Sequence, residues 1–271
     1  MSQFLDSRRR FLKASILGSL TLADGLRFQD PAHARSGMAS SPTPSKVEPS
    51  PARVALTTGA DRADNTFRAL RTFEKEIARA IGDKRVILKP NNVSVRKPLC
   101  ATHADHLEGI LEFLKSIRKT NVVIAESPAD GTAAEGFDTY GYNKSAAKYG
   151  VMLVDLDKTE TDTVYCMDQS DLRPHACRVS RTMLDPNSYI ISAAVLKTHF
   201  FTMATFSLKN VIVAAAVKEP GAKPGEMDRT NRFLVHGGGV RGIHYNLAAL
   251  APRLHPHLAV IDGFQGMEGE G

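Results

Sequence analysis

The residues best suited to chemistry in this chain recur at the ends of apolar runs. Lys89-Pro90-Asn91-Asn92 follows Arg85-Val-Ile-Leu88, and Glu126-Ser127 follows Val122-Val-Ile-Ala125. Lys197-Thr198-His199 follows Tyr189-Ile-Ile-Ser-Ala-Ala-Val195, and Asp262-Gly263 follows Leu258-Ala-Val-Ile261. Lys89 and Asn91 offer an ammonium and an amide beside a turn that proline stiffens, which suits an anion or carbonyl clamp. The plainer alternative is a loop with a solvated lysine. Lys197 and His199 could bind phosphate or carboxylate, place an imidazole on a metal, or share a proton transfer. Against this stands a capping Thr198 with an exposed His199. Phe206-Ser-Leu-Lys209-Asn210 lies in an apolar helix candidate. If Lys209 points to the same edge, it is more than a solvated face. His236-Gly-Gly-Gly-Val-Arg241-Gly-Ile-His244 combines a flexible backbone, two imidazoles and a guanidinium ahead of a helix, where amides could approach an anion. A mobile surface loop is the alternative.

Other patterns are weaker. His103-x-x-His106 has the spacing of two ligands on one helical face, but no carboxylates complete it, and a plain first helical turn is favoured. His255-x-His257 beside Pro256 reads as surface. No G-x-S-x-G, zincin, Walker or kinase pattern is present. Three cysteines, Cys100, Cys166 and Cys177, form no Cys-x-x-Cys, which leaves a ferredoxin-type iron–sulfur cluster unsupported. A Cys166–Cys177 disulfide is open in an oxidising compartment, as are idle buried thiols.

The elements that must position these residues alternate. Strands are expected at Arg53–Thr57, Arg85–Leu88, Val122–Ala125, Val151–Val154, Tyr189–Val195 and Leu258–Ile261. Helical spacing runs over Asn65–Ile81, His103–Lys119, Tyr142–Tyr149 and Val240–Leu254. This order implies an α/β fold: an open, mainly parallel sheet with helices on both faces, in Rossmann-like layers. Val164–Val179 reads as an irregular β insertion. In such sheets ligands bind beyond the carboxyl ends of the strands, where the residues named above fall.

Composition adds bounds. Of 271 residues, 42% are hydrophobic and 24% charged, which is ordinary for a globular domain. The net charge is +6, of which the first 34 residues carry two. A mildly basic remainder suits a small anion and not nucleic acid, for which there is no arginine-rich tract. Ser7-Arg8-Arg9-Arg10-Phe11-Leu12-Lys13, a short apolar stretch and Ala32-His33-Ala34 read as a twin-arginine signal peptide over residues 1–34. Retention of the leader as an uncleaved anchor is the alternative. Residues 35–52, rich in Ser and Pro, read as a disordered linker, and 53–271 as the α/β domain. No stable membrane span is expected after the leader. The expected partner is the Tat translocation machinery, and the expected location periplasmic or otherwise extracytoplasmic.

At these same residues the chain resembles a known family, the domain of unknown function DUF362. The resemblance rests on Ile87-Leu-Lys-Pro-Asn-Asn92, Thr102-His103, Ala125-Glu126-Ser127, Tyr140-Gly-Tyr142, Leu153-Val-Asp-Leu156, Leu196-Lys-Thr-His199, Ser207-Leu-Lys-Asn210, His236, Ile261-Asp-Gly263 and Met267-Glu-Gly269. Members commonly close the last motif with Glu-Gly-x-Gly-Pro and continue further, so a C-terminally shortened chain is expected. Some relatives carry iron–sulfur modules whose cysteines this chain lacks. The layout is also similar to that of nickel-pincer lactate racemases, in which lysine and histidine hold a cofactor. Together these imply a Lys/His/carboxylate cleft for an anionic ligand, metal ion or organic cofactor. In it Lys197, His199 and Lys209 would be catalytic, and Lys89, Asn91, Asn210, His236 and Arg241 would bind ligand. His199, Glu126, Asp262 and Glu268 would hold a metal. The activity would be redox or isomerase chemistry. The rival is a non-catalytic ligand-binding or accessory protein of a periplasmic redox system, and a nonfunctional fragment is the third reading.

Overall fold

Short β-branched runs with a period of two build the centre of the protein. The computed structural model describes residues 52–219 and 231–269. The leader and nearly all of the linker inferred above lie outside them. Five strands run parallel: β1 (Arg85–Pro90), β2 (Val122–Glu126), β3 (Met152–Asp155), β6 (Ser188–His199) and β8 (Leu258–Met267). Their order across the sheet is β3-β2-β1-β6, with β8 on β6. The short β7 (Met203–Thr205) folds back antiparallel on the last residues of β6. This is the open, mainly parallel α/β sheet that the sequence implies.

Alternate strand residues enter two cores. Val86, Leu88, Val122, Ile124, Tyr189, Ile191 and Val260 pack on one face. There they meet α1 (Arg62–Arg71), α2 (Glu74–Ile81), α3 (Ala104–Ser116), α4 (Ala133–Thr139) and α5 (Tyr142–Tyr149). Ile87, Val123, Ala125 and Ile190 face the other way. They meet α6 (Ser207–Ala215), α7 (Asn231–His236), α8 (Val240–Leu250) and the hairpin of β4 (Thr161–Met167) with β5 (Pro174–Ser180). Each fully buried aliphatic side chain contributes about 1.5–3 kcal/mol. Among the described residues no helix is long and apolar enough to cross a membrane.

Four expectations are corrected. Arg53–Thr57 is not a strand: it pairs with no neighbour, and Val54 and Leu56 are 86% and 89% exposed. An apolar run without a ladder partner leaves its backbone groups to water. The helix expected over Asn65–Ile81 starts earlier, capped by the Asp61 carboxylate on the Asp64 amide, and breaks at Thr72–Phe73. Third, β6 runs through Lys197–His199 and β8 through Asp262 to Met267, so these residues belong to the strands and do not follow them. Their register is Lys197↔Thr205 and His199↔Met203, with an irregularity between Val195 and Lys197. Fourth, a short helix precedes the triple glycine, which places His236 at its last turn.

The insertion is a regular hairpin. In it Val164 faces Cys177 and Cys166 faces His175, which makes the two cysteines diagonal neighbours. Both thiols are buried and free. Cys177 Sγ donates to the Asn231 carbonyl at 3.5 Å, and the two neighbouring thiols move each other's pKa, that of Cys166 down and, with burial, that of Cys177 up.

Candidate functional site

Two groups of buried cations stand at the carboxyl edge of the sheet, and their surroundings differ. The first centres on Lys89, at the end of β1 and wholly buried. Its Nζ donates to Glu126 Oε1 at 2.6 Å, to the Pro90 carbonyl at 2.6 Å and to Asn210 Oδ1 at 3.3 Å. The Glu126 carboxylate also accepts the Asn92 amide (2.8 Å) and the Ser127 amide (2.7 Å). Asn210, from α6, returns two donors, to the Lys89 carbonyl and to Ser192 Oγ. Asn91 Nδ2 completes the set on Asn210 Oδ1 at 3.1 Å. Burial lowers the Lys89 pKa, and the Glu126 charge works against that shift. Lys89, Glu126 and Asn210 therefore satisfy one another and, with Asn91, whose Oδ1 has no partner among the described residues, tie β1, β2, β6 and α6 together. Lys89 offers no free donor to a ligand, unlike the clamp inferred from sequence.

The second group has no such compensation. Lys197 and Lys209 are 3% and 9% exposed, and among the described residues neither lies within ion-pair distance of a carboxylate. Among the described residues Lys209 Nζ has one hydrogen-bond partner, Thr205 Oγ1 at a long 3.4 Å. Burial, then the Lys197 charge, lowers the Lys209 pKa to about 7. Burial also lowers that of Lys197. Ser207, the first residue of α6, is 5% exposed, and its buried Oγ has no partner among the described residues. No side chain caps this helix, so its first-turn amides are likewise free of a side-chain acceptor.

Two histidines complete this group. His199 Nδ1 accepts from the amides of Phe201 (3.1 Å) and Thr202 (3.3 Å), which assigns the proton to Nε2. His236 Nδ1 lies 2.7 Å from the Arg232 carbonyl and so carries the proton, leaving Nε2 a lone pair. The rings lie 6.2 Å apart, with the Phe201 ring 6.4 and 6.3 Å from them. Burial, then Lys209, Lys197 and His236, lowers the His199 pKa to about 3. Burial lowers that of His236 as well. Both imidazoles are thus neutral at ordinary pH, one presenting a donor and the other an acceptor.

The remaining candidates fall elsewhere. Asp262 lies on the α1–α3 face, where its carboxylate meets Arg62 Nε at 3.2 Å and its charge acts on the buried His106. Glu268 is exposed at the end of β8. With Glu126 held by Lys89, the carboxylates inferred to join His199 on a metal are not brought to it. Among the described residues no three His, Cys, Asp or Glu side chains converge as metal ligands. His103 is an exposed N-cap and His106 hydrogen-bonds Thr66, so these two histidines do not act together.

Arg241 is exposed, and the triple glycine before it is occupied by protein. Gln169 donates through its backbone to the Gly237 carbonyl, and its Oε1 accepts the Arg241 and Gly242 amides. The α8 amides thus have an acceptor already. Gly237 adopts φ 56°, and a Cβ there would stand 2.6 Å from the Met167 carbonyl, so close docking of the hairpin accounts for the glycine.

Sequence reasoning did not single out Ser207, although it stands in the quoted motif two residues before Lys209. Nor did it find Arg232, buried and donating to the Ser127 and Pro128 carbonyls. Helix α4 carried a readable signal, since Thr132 and Glu135 form a capping box.

The family model described as "Domain of unknown function (DUF362)" matches residues 86–271. A search of curated proteins finds no match.

Proposed function

The chain belongs to the DUF362 family, and from that premise we propose that it is an exported protein whose Lys197–Lys209 group binds a small carboxylate or phosphate. The observation that carries this reading is the pair of buried lysines with no carboxylate in reach among the described residues. Burying cations uncompensated is costly, and an anion would supply the missing charge and acceptors. The free first-turn amides of α6 add to the attraction. His199 and His236 would stand beside the anion as proton donor and acceptor.

The test is calorimetric titration of inorganic phosphate and of oxalate into the wild-type chain and Lys197→Met. One-site binding to the first, lost in the second, supports the reading. Absence of binding by either anion to the wild type removes it.

Export rests on the Arg8-Arg9-Arg10 leader alone. Its test is fractionation of cells with and without a functional twin-arginine translocase. Loss of the extracytoplasmic pool without the translocase supports export by that route. Delivery that persists without the translocase, or that is abolished only by blocking the general secretory pathway, contradicts it.

A further inference from the structure

Lys209 differs from every paired lysine among the described residues. It is buried, its one hydrogen bond is long, and its charged neighbour is another lysine. An amine kept from protonation by burial and an adjacent cation is the arrangement that makes lysine a nucleophile towards carbonyl carbon. The Lys197 charge acts on it, and Ser207, two residues earlier at the start of α6, has a buried hydroxyl with no partner among the described residues. The two imidazoles are near enough for the Lys209 charge to act on both. We propose that Lys209 forms an imine with a 2-oxo acid whose carboxylate is held by Lys197 and Ser207. This rests on the anion-binding reading above and names the ligand class.

The chemistry balances without an oxidant or reductant. The Nζ lone pair forms a C–N bond to the carbonyl carbon as the C=O π pair moves to oxygen. The two protons that nitrogen sheds pass to that oxygen, with the His236 Nε2 lone pair as relay and His199 Nε2–H hydrogen-bonded to the oxygen. The oxygen leaves as water and C=N remains. A carboxylate next to the carbonyl suits a site where the anion donors adjoin the nucleophile. A phosphate alone, with no carbonyl, would bind and stop there.

The test is trapping with pyruvate and sodium cyanoborohydride, read by intact mass and peptide mapping on the full chain. One reduced adduct per chain, on Lys209, is expected. Its rate should rise between about pH 6 and about pH 8, as the amine loses its proton. Lys209→Arg should lose the adduct, and exchange of the exposed Lys75 for Arg should keep it. If Lys209→Arg does not fold, as judged by its thermal transition, Lys209→Met serves. No adduct on the wild type, or adducts spread over exposed lysines, overturns the proposal. Phosphate binding without an adduct would remove the imine and leave the anion site standing. Absence of both would remove the two together.

Discussion

Lys89 and Lys209 are both buried lysines at the same edge of one sheet, and they meet opposite company. Lys89 has a carboxylate at 2.6 Å and two further acceptors. Lys209 has a hydroxyl at 3.4 Å and a second lysine. A paired buried charge fixes geometry, and an unpaired one is a standing attraction for something absent from the protein itself. The type and burial of a lysine therefore say less about its role than its nearest acceptor does.

The largest expected separation of the two regions is in stability. Glu126→Ala strands the Lys89 ammonium and should cost about 3–5 kcal/mol in urea unfolding. Lys209→Met removes an uncompensated charge and should gain on the order of 1 kcal/mol. A comparable loss in both variants would erase the contrast.

The second effect is ligand linkage. Phosphate at about a hundred times its dissociation constant should stabilise the wild type by about 2.7 kcal/mol. The Lys197→Met, Lys209→Met double variant should show no phosphate-dependent shift in its thermal transition. Glu126→Gln, if it folds, should retain the shift, because it alters the other region.

The third effect is on pH. Lys209 is lowered from 10.5 to about 7, so between those values the unfolded chain binds the extra proton. Its unfavourable contribution is then complete below about pH 7 and fades as pH rises towards 10.5. The stability advantage of Lys209→Met should shrink over that window in parallel unfolding curves. His199, lowered from 6.5 to about 3, acts on the acid side, where stability is lost as pH falls from 6.5 through 3. His199→Gln should flatten that limb.

The smallest effects concern the glycine loop. Gln169→Ala should cost about 1 kcal/mol by uncapping α8, with anion binding intact. Arg241→Ala should alter neither property measurably.

Much of this was legible in residue order. Alternation of apolar runs with helical spacing yields the parallel sheet, and the end of each run locates the edge where Lys89, Glu126, Lys197 and His199 stand. Sequence does not say which cations share an acceptor. That depends on the parallel pairing of β1 with β2, which brings Glu126 to Lys89. It depends also on α6, whose Asn210 turns towards Lys89 while Lys209, one residue earlier, does not. Asp262 looks equivalent to Glu126 as a residue near a strand end, yet Arg62 holds it on the helical face. The strand expected at Arg53–Thr57 failed for a related reason, since an apolar pattern does not supply a ladder partner. His236-Gly-Gly-Gly suggested an open anion loop because sequence cannot show Gln169 arriving from the hairpin.

The most direct measurement is a structure of the chain determined with phosphate. Tetrahedral density is expected within about 3 Å of the Lys197 or Lys209 Nζ atoms, with Lys89 still on Glu126. Density at the Gly237–Gly239 loop or displacing Glu126 from Lys89, with none at Lys197 or Lys209, would contradict the anion site.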